Sequence, residues 1–331
     1  ESDCAGVRFR LVDRANDDRC PGRRRGEATQ QQGDDSLVAY PGRMAIVGFS
    51  IHADCRVMAM HSKLHDQISL NTLCFTPAPL DSHIEAVSRL GARAISPGIH
   101  DVGEIGVAKT ARFIRDAGLE VATLTHMAFG FAMPNITAEA RARLHRTIGV
   151  AAEIGAQCVI MTTGGRGTLS WADAAQAFAE AIAPCAEEAR AAGILIGIEG
   201  TSHLYADVSI AHRLTDTVRL ARMAGISVMI DTFACWFDSD IEEAIAEAGP
   251  LTALVQVSDY VYGDRGLPCR AVPGDGDSGL GHIIPAIAAT GFSGYYDLEV
   301  IGPRLAGEGP EVGLRRAADF VSSLLEEGLT R

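Results

Sequence analysis

From residue 67 onward, short apolar runs alternate with longer amphipathic segments. The runs are ISLNTL (68–73), ARAISP (92–97), EVATLTH (120–126), CVIMTT (158–163), ILIGIEG (194–200), SVMIDT (227–232), ALVQVSD (253–259) and YYDLEV (295–300). Each is short enough for a strand and is bounded by Gly, Pro or polar residues. The intervening segments carry helix punctuation: Ser82 and Glu85 have capping-box spacing with Gly91 as the stop, and Ser170 with Asp173 is an acidic variant of the same pattern. Leu314, Ala317, Ala318, Val321, Leu324 and Leu325 fall on one helical stripe. Eight strand–helix pairs predict an α/β protein, a closed (β/α)8 barrel of parallel strands, with an open doubly wound sheet as the other arrangement.

Residues 1–60 lack this pattern. They hold nine Lys/Arg and nine Asp/Glu, so the net charge of −13 belongs to residues 61–331. The stretch CPGRRRGEATQQQGDDS (20–36) has almost no apolar periodicity, and such a segment buries too little to offset the entropy of ordering it. The expected organisation is a disordered N-terminal extension over 1–60, translated from upstream of a start at Met44, Met58 or Met60, and one barrel over 61–331. A regulatory or oligomer-contact arm is the other reading of the extension.

Composition narrows the function. Hydrophobic residues make up 47% and charged residues 21% of 331, the balance of a globular protein. The acidic charge argues against a surface that neutralises nucleic-acid phosphates. No apolar run is long enough to span a membrane. Eight scattered cysteines without a C-x-x-C pair read as reduced thiols of a cytoplasmic protein. A small-molecule partner is favoured.

In a (β/α)8 barrel the chemistry sits where the strands end. Strand five ends at Glu199, strand six at Asp231, strand seven carries Gln256 and Asp259, strand eight carries Glu299, and strand three ends at His126. Any one such carboxylate, taken alone, more often caps a helix or pairs with an arginine. Several in register at one barrel mouth repel one another and call for a positive charge. Glu199, Asp231, Gln256 and Glu299 offer four oxygen ligands to one divalent ion, a hard set that favours Mn²⁺, or Mg²⁺, over Zn²⁺. Gln256 has a plainer reading too, an amide bonded to neighbouring backbone. Glu199 or Glu299 would serve as base, and His126 as proton donor. His203, four residues after Glu199 in a loop, is the other acid/base candidate and a substrate contact, and Trp236 reads as an apolar pocket wall on the substrate. TTGGRGTLS (162–170) reads either as an anion-binding turn with Arg166 or as a turn that merely needs glycine. PGDGD (273–277) reads as a shaped loop.

From about residue 67 to 325 the chain resembles the xylose isomerase-like barrels, the superfamily of sugar phosphate isomerases and epimerases. The resemblance is carried by IGIEG with Glu199, MIDTF with Asp231, VQVSD with Gln256, RAVPGDGD (270–277) and GFSGYYDLEV with Glu299. It implies one divalent ion, Mn²⁺ first, with Mg²⁺ or Co²⁺ also suited, on Glu199, Asp231, Gln256 and Glu299. It also implies a sugar or sugar phosphate isomerised or epimerised through a metal-bound enediolate, and by analogy a homo-oligomer. VQVSD, the Arg before PGDGD, and DLEVIGPR are similar to the dehydratase branch that acts on dehydroshikimate or inosose. A metal-dependent lyase of a cyclic keto-polyol or keto-acid is therefore the alternative, with Arg270 and Arg304 as substrate contacts. The sugar-processing relatives usually carry a His three residues after the strand-six Asp, where this chain has Ala234.

Overall fold

The computed structural model describes residues 63–329. The expected extension over 1–60 lies outside the described residues. Eight parallel strands, β1 (Ile68–Asn71), β2 (Ala94–Ser96), β3 (Glu120–Thr125), β4 (Ala156–Met161), β5 (Leu195–Glu199), β6 (Ser227–Asp231), β7 (Thr252–Val257) and β8 (Tyr296–Leu298), close into a barrel in chain order. β8 pairs back onto β1, with Ile68 opposite Tyr296 and Ser69 opposite Asp297. Every run identified in the sequence became a strand. β7 begins one residue earlier than its run, and β1 stops at Asn71, whose side chain accepts from Leu73 N–H and turns the chain into a short 3₁₀ segment.

The two-residue strand period sorts the side chains. Ile196, Ile198, Val228, Ile230, Val255, Val257, Tyr296 and Leu298 face the surrounding helices in one large core. The opposite face fills the barrel with Ala94, Ala122, Cys158, Ile160, Met229, Leu254 and Tyr295. Gly197 belongs to this inner layer because a Cβ there would meet Ile160 Cδ1 at 2.6 Å. Counting by two from Gly197, Met229, Leu254 and Tyr295 reaches Glu199, Asp231, Gln256, and Asp297 with Glu299, so the polar residues lie above the apolar plug on the same inward face.

The helices close with the expected signals more often than they open with them. Helix Leu80–Leu90 ends at Gly91 in the left-handed conformation (φ 80°), but it starts at Pro79 without a side-chain cap, which places Ser82 inside the helix and corrects the capping-box reading. The helix thus starts three residues before the serine could cap it. Ser170 does cap helix Trp171–Ala191, its hydroxyl accepting from Asp173 N–H and donating to the Asp173 carboxylate at 2.6 Å. In the final helix, Pro310–Leu329, the apolar stripe is buried except for half-buried Leu324. Each fully buried Leu or Val there contributes roughly 1.5–3 kcal/mol. No helix of the described residues is long and apolar enough to cross a membrane.

Candidate active site at the barrel mouth

Glu199, Asp231 and Arg270 share the wall of a cavity of about 240 Å³ at the C-terminal ends of the strands. Arg270 is the centre of the arrangement. Its two terminal nitrogens donate to Asp231 Oδ1 (3.0 Å) and Oδ2 (2.8 Å), one donates to Ser258 Oγ (2.9 Å), and one lies 3.0 Å from Glu299 Oε2. The guanidinium also rests on the Phe233 ring at 4.8 Å. Asp231 additionally caps the short helix Thr232–Cys235 through Phe233 N–H. The two plain readings of a lone carboxylate, helix cap and arginine partner, thus both apply to Asp231.

Arg270 is held there by its loop. Asp259 and Ala271 exchange two backbone hydrogen bonds, and the Asp259 carboxylate accepts from Gly274, Gly276 and Ser278 N–H and from the Ser278 hydroxyl. Gly276 is required by this grip, since a Cβ would come within 2.4 Å of Asp259 Oδ1. PGDGD is therefore a shaped loop, with Asp259 as its anchor.

Burial, then repulsion from Asp231 and Glu299, pushes the Glu199 carboxyl well above the usual range. Burial also raises Glu299, to about 7, against the opposing pull of Arg270. Burial lowers the Arg270 guanidinium, but the charges of Asp231 and Glu299 outweigh it and hold the group firmly protonated. The Glu199 carboxyl, at the end of the β5 ladder, makes no hydrogen bond or ion pair with a described side chain. The Gln256 amide donates toward Asp297 and Glu299, which leaves its Oε1 buried without a partner.

These features suit a divalent cation. Three carboxyl groups stand against one guanidinium, so ionising all of them would leave two negative charges uncompensated, a cost that the raised Glu199 and Glu299 express, and Gln256 Oε1 is an open neutral oxygen beside them. In the side-chain arrangement of the structure, the described residues hold no group of three or more His, Cys, Asp or Glu at ligand spacing, and Arg270 stands between Asp231 and Glu299. Arg270 thus supplies part of the positive charge that the sequence assigned to a metal alone.

The remaining candidates lie apart from the cavity wall. His126 follows β3, buried, with Nδ1 2.9 Å from the Thr147 hydroxyl and Nε2 unpartnered. Burial, then Arg143 and His100, lowers it to about 4. His203 is exposed in the turn His203–Tyr205, where Ser202 and Tyr205 line the cavity instead. Arg304 pairs with Asp264 at 2.9 Å. Trp236 lines an adjoining outer cleft. Ala234, which stands where the resemblance would put a histidine, does line the cavity. The loop TTGGRGTLS is a packing turn: a Cβ on Gly164 would fall 2.9 Å from Gly130 backbone and one on Gly165 2.6 Å from Asp207 O, while Arg166 is exposed.

One inner residue escaped the sequence reading. Asp297, fully buried, accepts from Asn71 Nδ2 (3.0 Å) and Ser96 Oγ (2.6 Å), and Ser69 and Gln256 also hold it. Its spacing of two from Glu299 was the available signal.

Residues 84–324 match the family model of the xylose isomerase-like TIM barrel. The chain belongs to that family. Three solved structures illustrate the likeness. Protein SMc04130 from Sinorhizobium meliloti 1021 is 24% identical with a TM-score of 0.72, over 78% of this chain and 98% of that one. The IolI protein with a bound zinc atom is 14% identical with a TM-score of 0.70, over 79% and 98%. A D-psicose 3-epimerase with D-tagatose from Clostridium cellulolyticum H10 is 16% identical with a TM-score of 0.66, over 78% and 99%. No curated protein matches the sequence.

Proposed function

We propose that this xylose isomerase-like barrel is a divalent-metal-dependent isomerase or epimerase of a small sugar or sugar phosphate. The observation that carries the reading is the unpaired Glu199 carboxylate in the cavity wall, beside a surplus of negative charge and an unpartnered Gln256 Oε1. The epimerase and zinc-bound relatives support it. Glu199, Asp231, Gln256 and Glu299 would hold the ion, and their oxygen set favours Mn²⁺ or Mg²⁺. When bound, the ion supplies polarisation of a carbonyl, which makes the neighbouring carbon acid easier to deprotonate.

The chain's own residues then do the following. Glu199, which no protein side chain pairs, takes the proton from the carbon beside the carbonyl. Glu299, steadied by Arg270 and by the Gln256 amide, faces the same region from β8 and returns a proton. Return to the carbon that lost it inverts the centre, and return to the neighbouring carbon moves the carbonyl. Phe233 and Ala234 shape an apolar side of the cavity. Arg270 has both terminal nitrogens engaged with Asp231 and Glu299. The alternative is a lyase of a cyclic keto-polyol or keto-acid; its keto-acid form wants a cation free for the substrate carboxylate, which an Arg270 so engaged does not offer.

The test is deuterium exchange at the carbon next to the carbonyl of ketoses in D₂O, with and without Mn²⁺. Wild type should exchange only with the ion, and Glu199→Gln should lose about 10²–10⁴-fold, the usual worth of a positioned base. Equal exchange by wild type and Glu199→Gln would remove the assignment.

A further inference from the structure

The inner cavity opens outward past Ser202, Phe233, Leu267 and Cys269, and these same residues form the floor of a second cleft of about 490 Å³. The outer cleft is aromatic. Trp236 stacks on Tyr260 with ring centroids 5.3 Å apart and planes 20° from parallel, and Tyr262 lies 5.8 Å from the same indole. The Tyr260 hydroxyl donates to Asp264 O at 2.6 Å, which fixes the platform. Tyr262 is 65% exposed and its ring lies beside those of Trp236 and Tyr260. Phe237 and Leu204 are exposed beside it.

Size and chemistry divide the two spaces. At about 240 Å³ the inner cavity falls short of the roughly 300–1,000 Å³ of pockets that enclose a drug-sized ligand, whereas the two spaces together reach that range. The inner one is charged and suits a polyhydroxylated ring. The outer one presents flat apolar faces already stacked and fixed, which favour a planar apolar ring and lose little entropy on binding it.

We propose that the aromatic cleft is a second subsite, taking the flat apolar ring of a sugar conjugate whose sugar ring occupies the inner cavity. The inference rests on the reading of the inner cavity as a sugar site. It makes the preferred ligand a sugar that bears an aryl group rather than a free monosaccharide, and glycosides, which have no free carbonyl to enolise, serve as non-reacting probes of it.

Matched phenyl and methyl β-D-glucopyranosides, galactopyranosides and xylopyranosides test it. The protein has two tryptophans, and Trp171, whose indole N–H donates to Ile210 O, can be replaced by Phe so that Trp236 alone reports by fluorescence quenching. At least one phenyl glycoside should bind fivefold or more tightly than its methyl partner. Tyr262→Ala should bring that ratio near one, and Tyr262→Phe should keep it. Tyr262 is exposed enough for both variants to fold, and matching thermal melts check this.

No phenyl preference in any pair overturns the proposal, as does a preference that survives Tyr262→Ala. Cellobiose binding as tightly as the phenyl glucoside would replace the apolar ring by a second sugar and overturn it too. A dimer in sedimentation that Tyr262→Ala converts to monomer would assign the cleft to a second copy of the chain. The exchange of free ketoses reports on the inner site alone. Exchange without a phenyl preference refutes only the second subsite, and a phenyl preference without exchange refutes only the reaction.

Discussion

Arg270 carries its charge into the place where three carboxylates converge, so a neutral side chain of similar length there would leave Asp231 and Glu299 facing each other without a counter-charge. Breaking a buried pair from one side costs about 3–5 kcal/mol. Arg270→Met should therefore lower the metal-free melting temperature, and Mn²⁺ should raise it again by more than it raises wild type, because the ion takes over the missing charge. Identical metal-free melts of the two proteins would show that the arginine is not the counter-charge. His126 answers to pH in the opposite sense from these carboxyls. Held at about 4 when folded against about 6.5 when unfolded, the ring takes up a proton in the unfolded chain first. Its neutral burial stabilises the fold fully above pH 6.5, and that contribution is lost as pH falls through 4, by roughly 3 kcal/mol in all. Urea unfolding at pH 7 and pH 4.5 should show a smaller acid loss in His126→Gln than in wild type.

At the scale of elements, the strands and most helices were legible because burial follows a period of two or of 3.6 along the chain, and that period is local. The inward parity that stacks Gly197 under Glu199 and Met229 under Asp231 could be counted from the sequence in the same way. Arg270 could be suspected but not placed, since its position depends on a loop whose hydrogen bonds reach from Asp259 to residues 274–278. The same dependence gives a test. Asp259→Ala removes the acceptor of four backbone N–H groups and a hydroxyl, and leaving such donors unsatisfied costs about 1–3 kcal/mol. Asp259→Asn keeps one acceptor oxygen and should recover part of the loss in a denaturant titration, whereas equal stabilities for all three proteins would deny the loop its anchor.

For the whole molecule, the four proposed ligands come from adjacent strands β5–β8, yet the barrel completes their surroundings only at its seam. β1 meets β8 there, with Ser69 opposite Asp297, Asn71 and Ser96 bonded to the Asp297 carboxylate, and Gln67 reaching Gly294 O at 2.7 Å. The inward parity of Asp297 could be counted from Glu299, but the groups that hold it could not be read, because its partners lie more than 200 residues away in the chain. Synthesis runs from β1 to β8, so the strand bearing Asp297 and Glu299 emerges last and finds the hydroxyls and amide of the first strands already made. Until that strand docks the barrel is open between β7 and β1, and the inward face that carries Glu199 and Asp231 is open to water. The repulsive cluster is thus never enclosed in a half-finished chain: the act that buries its charges is the same act that delivers the groups holding them.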